Sequence, residues 1–426
     1  MATSIYGQQE KGIVGKTNWL NTWTEFNPSK EYYGEPTQII TGNITTDTKL
    51  YKRETYLLLG SVFVTNGATL TIEPGTVILG DYKTKGSLIV SKGSFINAKG
   101  TVTDPIIFTS NRSVKRPGDW GGVIILGDAP VNRFGSGSIA TYYPNINPAN
   151  YAYGNYGGEE LKDSSGVFQY VRIEYSGKRV SEDIYFSGLL LAGVGEESTF
   201  NNVMVSQSAG NAFEVWGGKP KMNQFVSYKS HGSDFIFNYG SRSNLQNSLA
   251  IRSPFTSNDE IPRCLELLSY NKKEECDFSK EMTLLAAENL TFINISEDLE
   301  SHIKMNLINE AVYIGENASL NMSKTVISGF NPAVILQDGI VLNQANLEKI
   351  NFSEMFFNKC NGNIFLENNT NNDDLENWYG NSSFFNVYSK GSNAETFIDI
   401  KNERRPDFRL RINKIIAAND NLLKGD

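Results

Sequence analysis

Hydrophobic positions between residues 60 and 101 follow one pattern twice: a short apolar strand, a glycine turn and a second strand. The equivalent positions, each 26 residues apart, are Val62 and Leu88, Val64 and Val90, Gly67 and Gly93, Leu70 and Ile96, and Ile72 and Ala98. Alternation of apolar and polar residues over such short lengths predicts β-strands. Strands that return at a fixed period of this size predict a solenoid.

The pattern continues further along the chain. Residues 201–218 align with residues 223–240, and in this alignment Phe213 falls on Phe235, 22 positions later. No stretch carries enough apolar residues at helical spacing to supply one helix per repeat. The chain is therefore predicted to be all-β, a parallel β-helix over residues 39–400 with roughly a dozen coils stacked at ~4.8 Å. Gly67 and Gly93 are predicted to adopt positive φ at one recurring corner.

Four segments do not fit the repeat. Residues 1–38 are rich in aromatic side chains and are predicted to form an N-terminal cap, because the open end of a β-helix otherwise exposes unpaired strand edges. Two loop excursions from the coil are expected at about 128–165 and 255–286, and residues 401–426 are expected to form a C-terminal tail or cap.

Composition and charge restrict the partners. The chain has 426 residues, 20 % of them charged, and a net charge of −8, so its overall field repels nucleic acid. No apolar run reaches the ~20 residues of a transmembrane helix. The first twelve residues lack the cationic and apolar regions of a signal peptide, although an exported protein whose leader had been removed would look the same.

Three cysteines leave two interpretations open. Cys264 and Cys276 lie twelve residues apart and could form a disulfide in an oxidising compartment, or all three cysteines, including Cys360, are buried free thiols. The only histidines are His231 and His302, and no CxxC or HxxxH spacing occurs. A zinc site of cysteine and histidine ligands is therefore not expected.

A series of motifs occurs in a specific order within residues 10–260: ATLTIEPGTVI, DPIIFTSN, RPGDWGGVIILGDAPVN, YVRIEYSG, LAGVG and AFEVWGG. This order resembles a family of secreted and surface β-helix proteins of Bacteroidota, many of which carry a type IX secretion sorting domain. The resemblance implies a right-handed, pectate-lyase-like parallel β-helix and an extracytoplasmic location. It does not imply an activity.

The chain departs from the acidic clusters of that family and from known β-helix active sites. Relatives carry segments of the type DDAFE and DDDFD, where this chain has NAFE at 211–214 and SDFI at 233–236. A calcium site there becomes doubtful. The adjacent aspartates Asp373 and Asp374 lie in a run that we interpret as a solvated loop, which does not match a polygalacturonase. The RxPxxR element of pectate lyases is incomplete, since Ser257 replaces its second arginine.

One weak constellation remains. Glu174, Glu214 and Asp234 could lie on neighbouring coils of one face, and paired carboxylates are what glycoside hydrolysis requires. The side chains that could bind a sugar beside them are Trp216, Tyr228, His231, Tyr239 and Arg252. The alternative interpretation is structural: a polar outer face with the aromatic residues packed into the coil or under a loop.

The sequence thus favours an exported, non-catalytic β-helix protein that acts at the cell surface as a glycan-binding or scaffold component. The expected partners are a polysaccharide or an outer-membrane or surface protein. No cofactor is expected, calcium being the one candidate. Two alternatives stay open: a polysaccharide lyase or glycoside hydrolase with a divergent site, and an adhesin or accessory subunit of an outer-membrane complex.

Overall fold

A computed structural model describes residues 11–143, 146–182, 184–256, 261–369 and 372–411. Residues 1–10 of the predicted cap and 412–426 of the predicted tail lie outside the described residues. The long strands belong to one continuous parallel sheet, and two short antiparallel pairs, β10 with β11 and β31 with β32, lie apart from it. The predicted all-β parallel β-helix is therefore confirmed.

Strands account for most of the regular structure, and the helices are short. The strands are β1 (Gln38–Ile44), β2 (Thr48–Leu50), β3 (Thr55–Val64), β4 (Thr69–Ile72), β5 (Val77–Gly80), β6 (Ser87–Val90), β7 (Phe95–Lys99), β8 (Ile106–Ser110), β9 (Val123–Leu126), β10 (Gly137–Ser138), β11 (Asn155–Tyr156), β12 (Gly166–Glu174), β13 (Leu189–Ala192), β14 (Thr199–Ser206), β15 (Phe213–Trp216), β16 (Lys221–Tyr228), β17 (Phe235–Asn238), β18 (Arg242–Gln246), β19 (Leu249–Arg252), β20 (Leu265–Leu267), β21 (Leu284–Glu288), β22 (Thr291–Asn294), β23 (Val312–Ile314), β24 (Ser319–Ser323), β25 (Val326–Ser328), β26 (Val334–Leu336), β27 (Ile350–Ser353), β28 (Phe356–Asn358), β29 (Ile364–Leu366), β30 (Val387–Ser389), β31 (Phe397–Asp399) and β32 (Asp407–Leu410). The α-helices are α1 (Leu299–Lys304), α2 (Gln344–Leu347), α3 (Asp373–Tyr379) and α4 (Asn393–Thr396).

The coil has three faces. Face A consists of β2, β4, β7, the first halves of β12, β14 and β16, and then β18, β21, β24 and β27. Face B consists of the first halves of β1 and β3, β5, β8, the second halves of β12, β14 and β16, and then β19, β22, β25, β28 and β30. Face C consists of the second halves of β1 and β3, then β6, β9, β13, β15, β17, β20, β23, β26 and β29. At ~4.8 Å per step, the stacked strands of face B span about 50 Å.

The repeated positions in the sequence are direct partners in the sheet. Val62 pairs with Leu88 and Leu70 with Ile96, in the register that the 26-residue period predicts. Phe213 pairs with Phe235, and their rings stack at 5.2 Å between centroids. The inward side chains of all three faces form one buried core along the axis. Like side chains thus stack on like, which is why the repeat is visible in the sequence.

Gly67 and Gly93 occupy the same corner of successive coils, with φ of +75° and +79°. The predicted positive φ is therefore confirmed. A Cβ at Gly93 would have no heavy atom within 4 Å, so conformational strain is the main cost of a side chain there. We expect Gly93→Ala to lower the free energy of unfolding by about 1–2 kcal/mol, and Gly93→Asn to cost less because asparagine tolerates the left-handed region. Urea denaturation of the two variants checks this, and an equal loss in both would contradict the explanation.

The N-terminal segment, residues 11–37, runs along face B. Lys11 Nζ donates to Phe385 O at 3.0 Å near the last coils, whereas Tyr33 OH donates to Glu174 Oε1 at 3.2 Å near the early ones. Trp23 and Phe26 pack into a second buried cluster on the outer side of face B. Over its described residues the predicted cap is a lateral cover, because face B carries outward apolar residues and residues 11–37 pack on them. In β1, the first strand of the coil, Ile39 is 64 % exposed.

The two predicted excursions differ in character. Between β9 and β12 the chain leaves the coil, forms the β10–β11 pair and covers the outer side of face C with a third buried cluster. The segment predicted as the second excursion contains β20, which pairs with β17 and β23 as a regular strand of face C. The predicted excursion at about 255–286 is therefore interrupted by a regular strand of the coil, because Leu265 and Leu267 turn inward to continue the core.

The C-terminal end of the core is closed by α3. Leu375 and Tyr379 are buried in the axial core, and Tyr379 OH donates to Ile350 O at 2.7 Å. Asp373 and Asp374 lie in the first turn of this helix, where acidic side chains favour the helix dipole. The interpretation of this run as a solvated loop is wrong, because it belongs to a helix. Leu375 and Tyr379 are four residues apart, so they lie on the same side of α3 and cover the end of the core. The β31–β32 hairpin packs against face B beside the N-terminal segment.

Candidate functional site

A long groove of about 1060 Å³ lies where the turns between faces B and C meet the N-terminal and C-terminal segments. One wall contains Phe26, Asn27, Pro28 and Ser29, and the opposite wall is formed by residues from 392 to 408. The floor contains the residues that follow the strands of face B in successive coils. Three parts of the chain that are distant in sequence therefore form one site.

The floor is built by one recurring backbone turn. Tyr175, Gln207, Lys229, Gly329 and Lys359 each follow directly on a face-B strand and have positive φ, between +49° and +85°. A left-handed residue thus follows five of the seven face-B strands from β12 to β28, the exceptions being β19 and β22, so the corner recurs in most coils. From β12 to β28 this floor covers six coil steps, or about 30 Å at ~4.8 Å per step.

The groove is more basic than the chain as a whole. The lysines that line it are Lys115, Lys229, Lys359 and Lys401, and the acidic residues that line it are Glu297 and Glu403. Lys229 Nζ lies 5.0 Å from the centre of the Tyr228 ring, within cation–π range. A net positive lining on a chain of net charge −8 concentrates anionic ligands locally.

Aromatic side chains form part of the lining. Phe26 meets Tyr228 edge to face at 5.1 Å, and Phe408 lies 6.2 Å from Phe26. Tyr228 is half-buried. Of the five predicted ligand-binding residues, the structure places Tyr228 in this groove.

Glu174 is buried between face B and the N-terminal segment. Its carboxylate lies 3.4 Å from Arg172 Nε and accepts a hydrogen bond from Tyr33 OH, and Arg172 Nη2 donates to Tyr33 OH at 2.8 Å. Burial raises the pKa of the Glu174 carboxyl, and the adjacent Arg172 guanidinium acts in the opposite direction. Glu174 and Arg172 hold the N-terminal segment in place and are closed off from a substrate.

Asp234 faces the inside of the coil. It lies between Ala212 of the previous coil and Cys264 of the next, and it is fully buried. Arg252 Nη1 donates to Asp234 Oδ2 at 3.0 Å and to Gly232 O at 3.0 Å, and Ser227 Oγ donates to Asp234 Oδ1 at 2.5 Å. Arg252 is 3 % exposed, so this pair braces the corner between β16 and β17.

Glu214 lies on the outer side of face C under the first excursion. Its carboxylate accepts hydrogen bonds from Ser187 Oγ at 2.5 Å and from Trp216 Nε1 at 2.8 Å. Trp216 and Tyr239 are buried there, and Tyr239 OH lies 2.5 Å from Tyr142 OH of the excursion. Burial raises the pKa of Tyr239. These side chains hold the first excursion against the outer side of face C.

The three candidate acids therefore lie in three different environments: the outer side of face B, the outer side of face C and the inner corner. They share no hydrogen-bond partner among the contacts of the described residues. The predicted convergence on one face is wrong, because acids on neighbouring coils point to different sides of the backbone. His231, the remaining ligand-binding candidate, is half-buried near Arg252, and burial together with that charge lowers its pKa.

The cysteines are free. Cys264 lies in the axial core, and Cys276 lies outside it in the loop that pairs with Arg133. The alternative with a Cys264–Cys276 disulfide is therefore wrong, and burial raises the pKa of both thiols.

Within the described ranges, no group of three or more histidine, cysteine, aspartate or glutamate residues is placed to hold a metal ion. Calcium takes six to eight oxygen ligands, and Glu174, Glu214 and Asp234 each face a separate partner instead. In the part of the chain that the structure describes, no helix has the length and apolar character needed to cross a membrane.

Sequence reasoning missed most of the groove. Phe26, Phe408 and Lys401 belong to segments outside the repeat, so the period gave no information on their position. Lys229 and Lys359 could have been found, because each directly follows an apolar strand at the same position of its coil.

Comparison with known proteins gives a family. No curated protein and no solved structure matches the chain significantly. The family of pectate-lyase-like β-helix domains matches residues 42–397, which covers the coil from within β1 to β30 and most of the chain. The protein therefore belongs to the pectate-lyase-like β-helix family.

Proposed function

We propose that the protein binds an extended glycan along the groove without cleaving its glycosidic bonds. The observation that carries this proposal is the floor of the groove, where one turn recurs in five of seven coils over about 30 Å along the coil axis. A polymer meets such a surface with successive units on successive coils. The half-buried Tyr228 offers an aromatic surface against which a sugar ring can pack.

Charge favours an acidic glycan. Lys229 and Lys359 lie on one corner of the coil, four coil steps apart, or roughly 19 Å between their backbone positions at ~4.8 Å per step. Carboxylate or sulfate groups spaced along a polysaccharide could contact both lysines at once. A glycan without charge would use only the aromatic and hydrogen-bonding part of the groove.

The state of the acids supports binding over glycosidic cleavage. Glycoside hydrolysis uses two carboxyl groups on either side of the scissile bond. Glu174 and Asp234 are fully buried in ion pairs, and Glu214 is bonded to Ser187 and Trp216. The acids that line the groove, Glu297 and Glu403, lie on its coil side and on its C-terminal wall, and Glu403 lies 3.9 Å from Lys30.

We expect the double variant Lys229→Ala/Lys359→Ala to bind acidic glycans roughly three- to tenfold more weakly than the wild type. Each exposed charge pair contributes up to ~1 kcal/mol, and 1.4 kcal/mol corresponds to a factor of ten. A panel of soluble neutral and acidic glycans measured by calorimetry at low and high salt checks this. The loss should shrink at high salt, where surface charges are screened.

The matched control is Lys83→Ala/Lys99→Ala, which removes two exposed lysines that do not line the groove. Equal weakening in both double variants would show that net charge and not the groove binds the ligand. Failure of the wild type to bind any glycan would overturn the proposed function. Release of reducing sugars, or of an unsaturated product that absorbs in the ultraviolet, would favour the lyase or hydrolase alternative.

Export to the cell surface is part of the proposal. It is supported by the order of motifs within residues 10–260, which resembles secreted and surface β-helix proteins. Fractionation of the native cells with an antibody to the protein tests it. Recovery of the protein in the cytoplasmic fraction alone would remove this part of the proposal and leave glycan binding to be judged on its own assay.

A further inference from the structure

A serine of the groove floor forms a hydrogen bond with a histidine of α1. Ser296 lines the groove two residues after β22, and its Oγ lies 2.7 Å from Nδ1 of His302. Both residues are half-buried, and Ser296 is the member of the pair that lines the groove. Neither residue takes part in the glycan contacts described above.

We propose that Ser296 and His302 form a nucleophile–base pair that hydrolyses ester groups, and that its substrate is an O-acyl ester carried by the bound glycan. The choice of a glycan ester rests on the proposed function. The ester chemistry rests on the pair itself, because a serine becomes a nucleophile when an adjacent base accepts its proton within hydrogen-bond distance.

Neighbouring groups fix the positions of both Ser296 and His302. Ser296 N donates to Asn294 Oδ1 at 3.0 Å, which fixes the turn that carries the hydroxyl. The His302 ring meets the Phe255 ring edge to face at 5.0 Å, and His302 N donates to Asp298 O at 3.1 Å. With Nδ1 accepting from the serine hydroxyl, Nε2 carries the proton of the neutral imidazole.

The reaction balances with water as the second reactant. Ser296 Oγ forms a bond to the ester carbonyl carbon while its proton moves to His302 Nδ1. The carbonyl C–O bond to the sugar then breaks, and the proton passes from His302 to the departing sugar oxygen. Water, giving a proton to His302, attacks the acyl-serine, which releases the carboxylic acid and restores the serine hydroxyl.

The glycan chain itself stays intact in this reaction. Only the acyl side group is removed, which is compatible with a groove that binds without glycosidic cleavage. The net positive lining of the groove attracts the carboxylate groups of an acidic acylated glycan.

The test uses the full-length protein and a fluorophosphonate probe, which forms a covalent bond to an activated serine with loss of fluoride. We expect mass spectrometry to find the label on the peptide that contains Ser296, and Ser296→Ala to lose it. His302→Gln keeps a side chain of similar size without the base, so its rate of labelling should fall about 100-fold, the order of a general-base contribution. Ser113→Ala, which removes an exposed serine that does not line the groove, should label like the wild type.

Hydrolysis of p-nitrophenyl acetate should follow the same order among the variants. Labelling elsewhere in the chain, or equal labelling of wild type and His302→Gln, would overturn the inference. This assay needs no glycan, so its failure is distinguishable from failure of the proposed function. A protein that labels at Ser296 and binds no glycan would keep the ester chemistry and lose the glycan ester as its substrate.

Discussion

Replacing Arg252 by alanine is expected to lower the free energy of unfolding by about 3–5 kcal/mol. Arg252 and Asp234 are both nearly inaccessible to solvent, and the guanidinium also donates to the backbone oxygens of Gly232 and Ser230. Without the arginine, the Asp234 carboxylate stays in the interior beside Cys264, with Ser227 as its remaining hydroxyl donor. An unpaired charge at such a site costs far more than the pair contributes, because desolvation is no longer offset by a counter-charge.

Urea denaturation followed by circular dichroism measures this loss. The control is Lys219→Ala, which breaks the exposed pair with Glu196 and should change stability by at most ~1 kcal/mol. The double variant Arg252→Met/Asp234→Leu removes both charges and should recover a large part of the loss, because no charge is left buried. A loss below about 1 kcal/mol in Arg252→Ala would show that the pair does not brace the corner between β16 and β17.

The repeat could be predicted from the sequence because each inward side chain contacts the side chain one coil later, and the two must be alike. In a coil, the side chain that contacts Val62 is the one a full turn later, Leu88, and both must fit the same apolar column. The strand period, the inward residues and the glycine corner at Gly67 and Gly93 all follow from this one-dimensional packing.

The segments outside the repeat could not be placed in the same way. The aromatic residues of the N-terminal segment predict that it covers an apolar surface of the coil. The sequence does not show which surface, because the outward apolar residues of face B, such as Val226 and Ile293, alternate with the core residues and resemble further core positions. Both sides of these strands are buried, so alternation alone does not reveal an unfilled outer face. The choice between an end cap and a lateral cover therefore depended on three-dimensional information.

The prediction that the candidate acids converge on one face was wrong for a related reason. Glu214 and Asp234 are aligned with neighbouring coils in the sequence, yet Glu214 lies within a strand of face C and Asp234 lies at the corner before the next strand. Asp234 is equivalent to Ala212, two positions before Glu214, and because it precedes β17 the alternation within the strand does not set the side to which it points. Proximity along the axis was predictable, and the direction of the side chains was not.

Trp23→Ala is expected to lower the free energy of unfolding by about 3–5 kcal/mol, the usual cost of truncating a fully buried large aromatic residue. Trp23 is 0 % exposed, meets the Tyr170 ring edge to face at 5.9 Å and donates from Nε1 to Trp19 O at 2.7 Å. Its loss should first release residues 11–37 from face B, since the coil itself retains its core. Limited proteolysis should then cut this segment rapidly, at a rate that depends on the local opening free energy.

The same variant connects the fold to the proposed function. Phe26 to Ser29 form one wall of the groove, so release of the segment should weaken glycan binding even though Lys229 and Lys359 remain in place. Tyr32→Ala is the control, because Tyr32 is 78 % exposed in the same segment and should change stability by no more than ~0.5 kcal/mol. If Trp23→Ala unfolds like the wild type and resists protease equally well, the segment does not cover face B. The groove would then lack its wall, and glycan affinity would have to come from the coil alone.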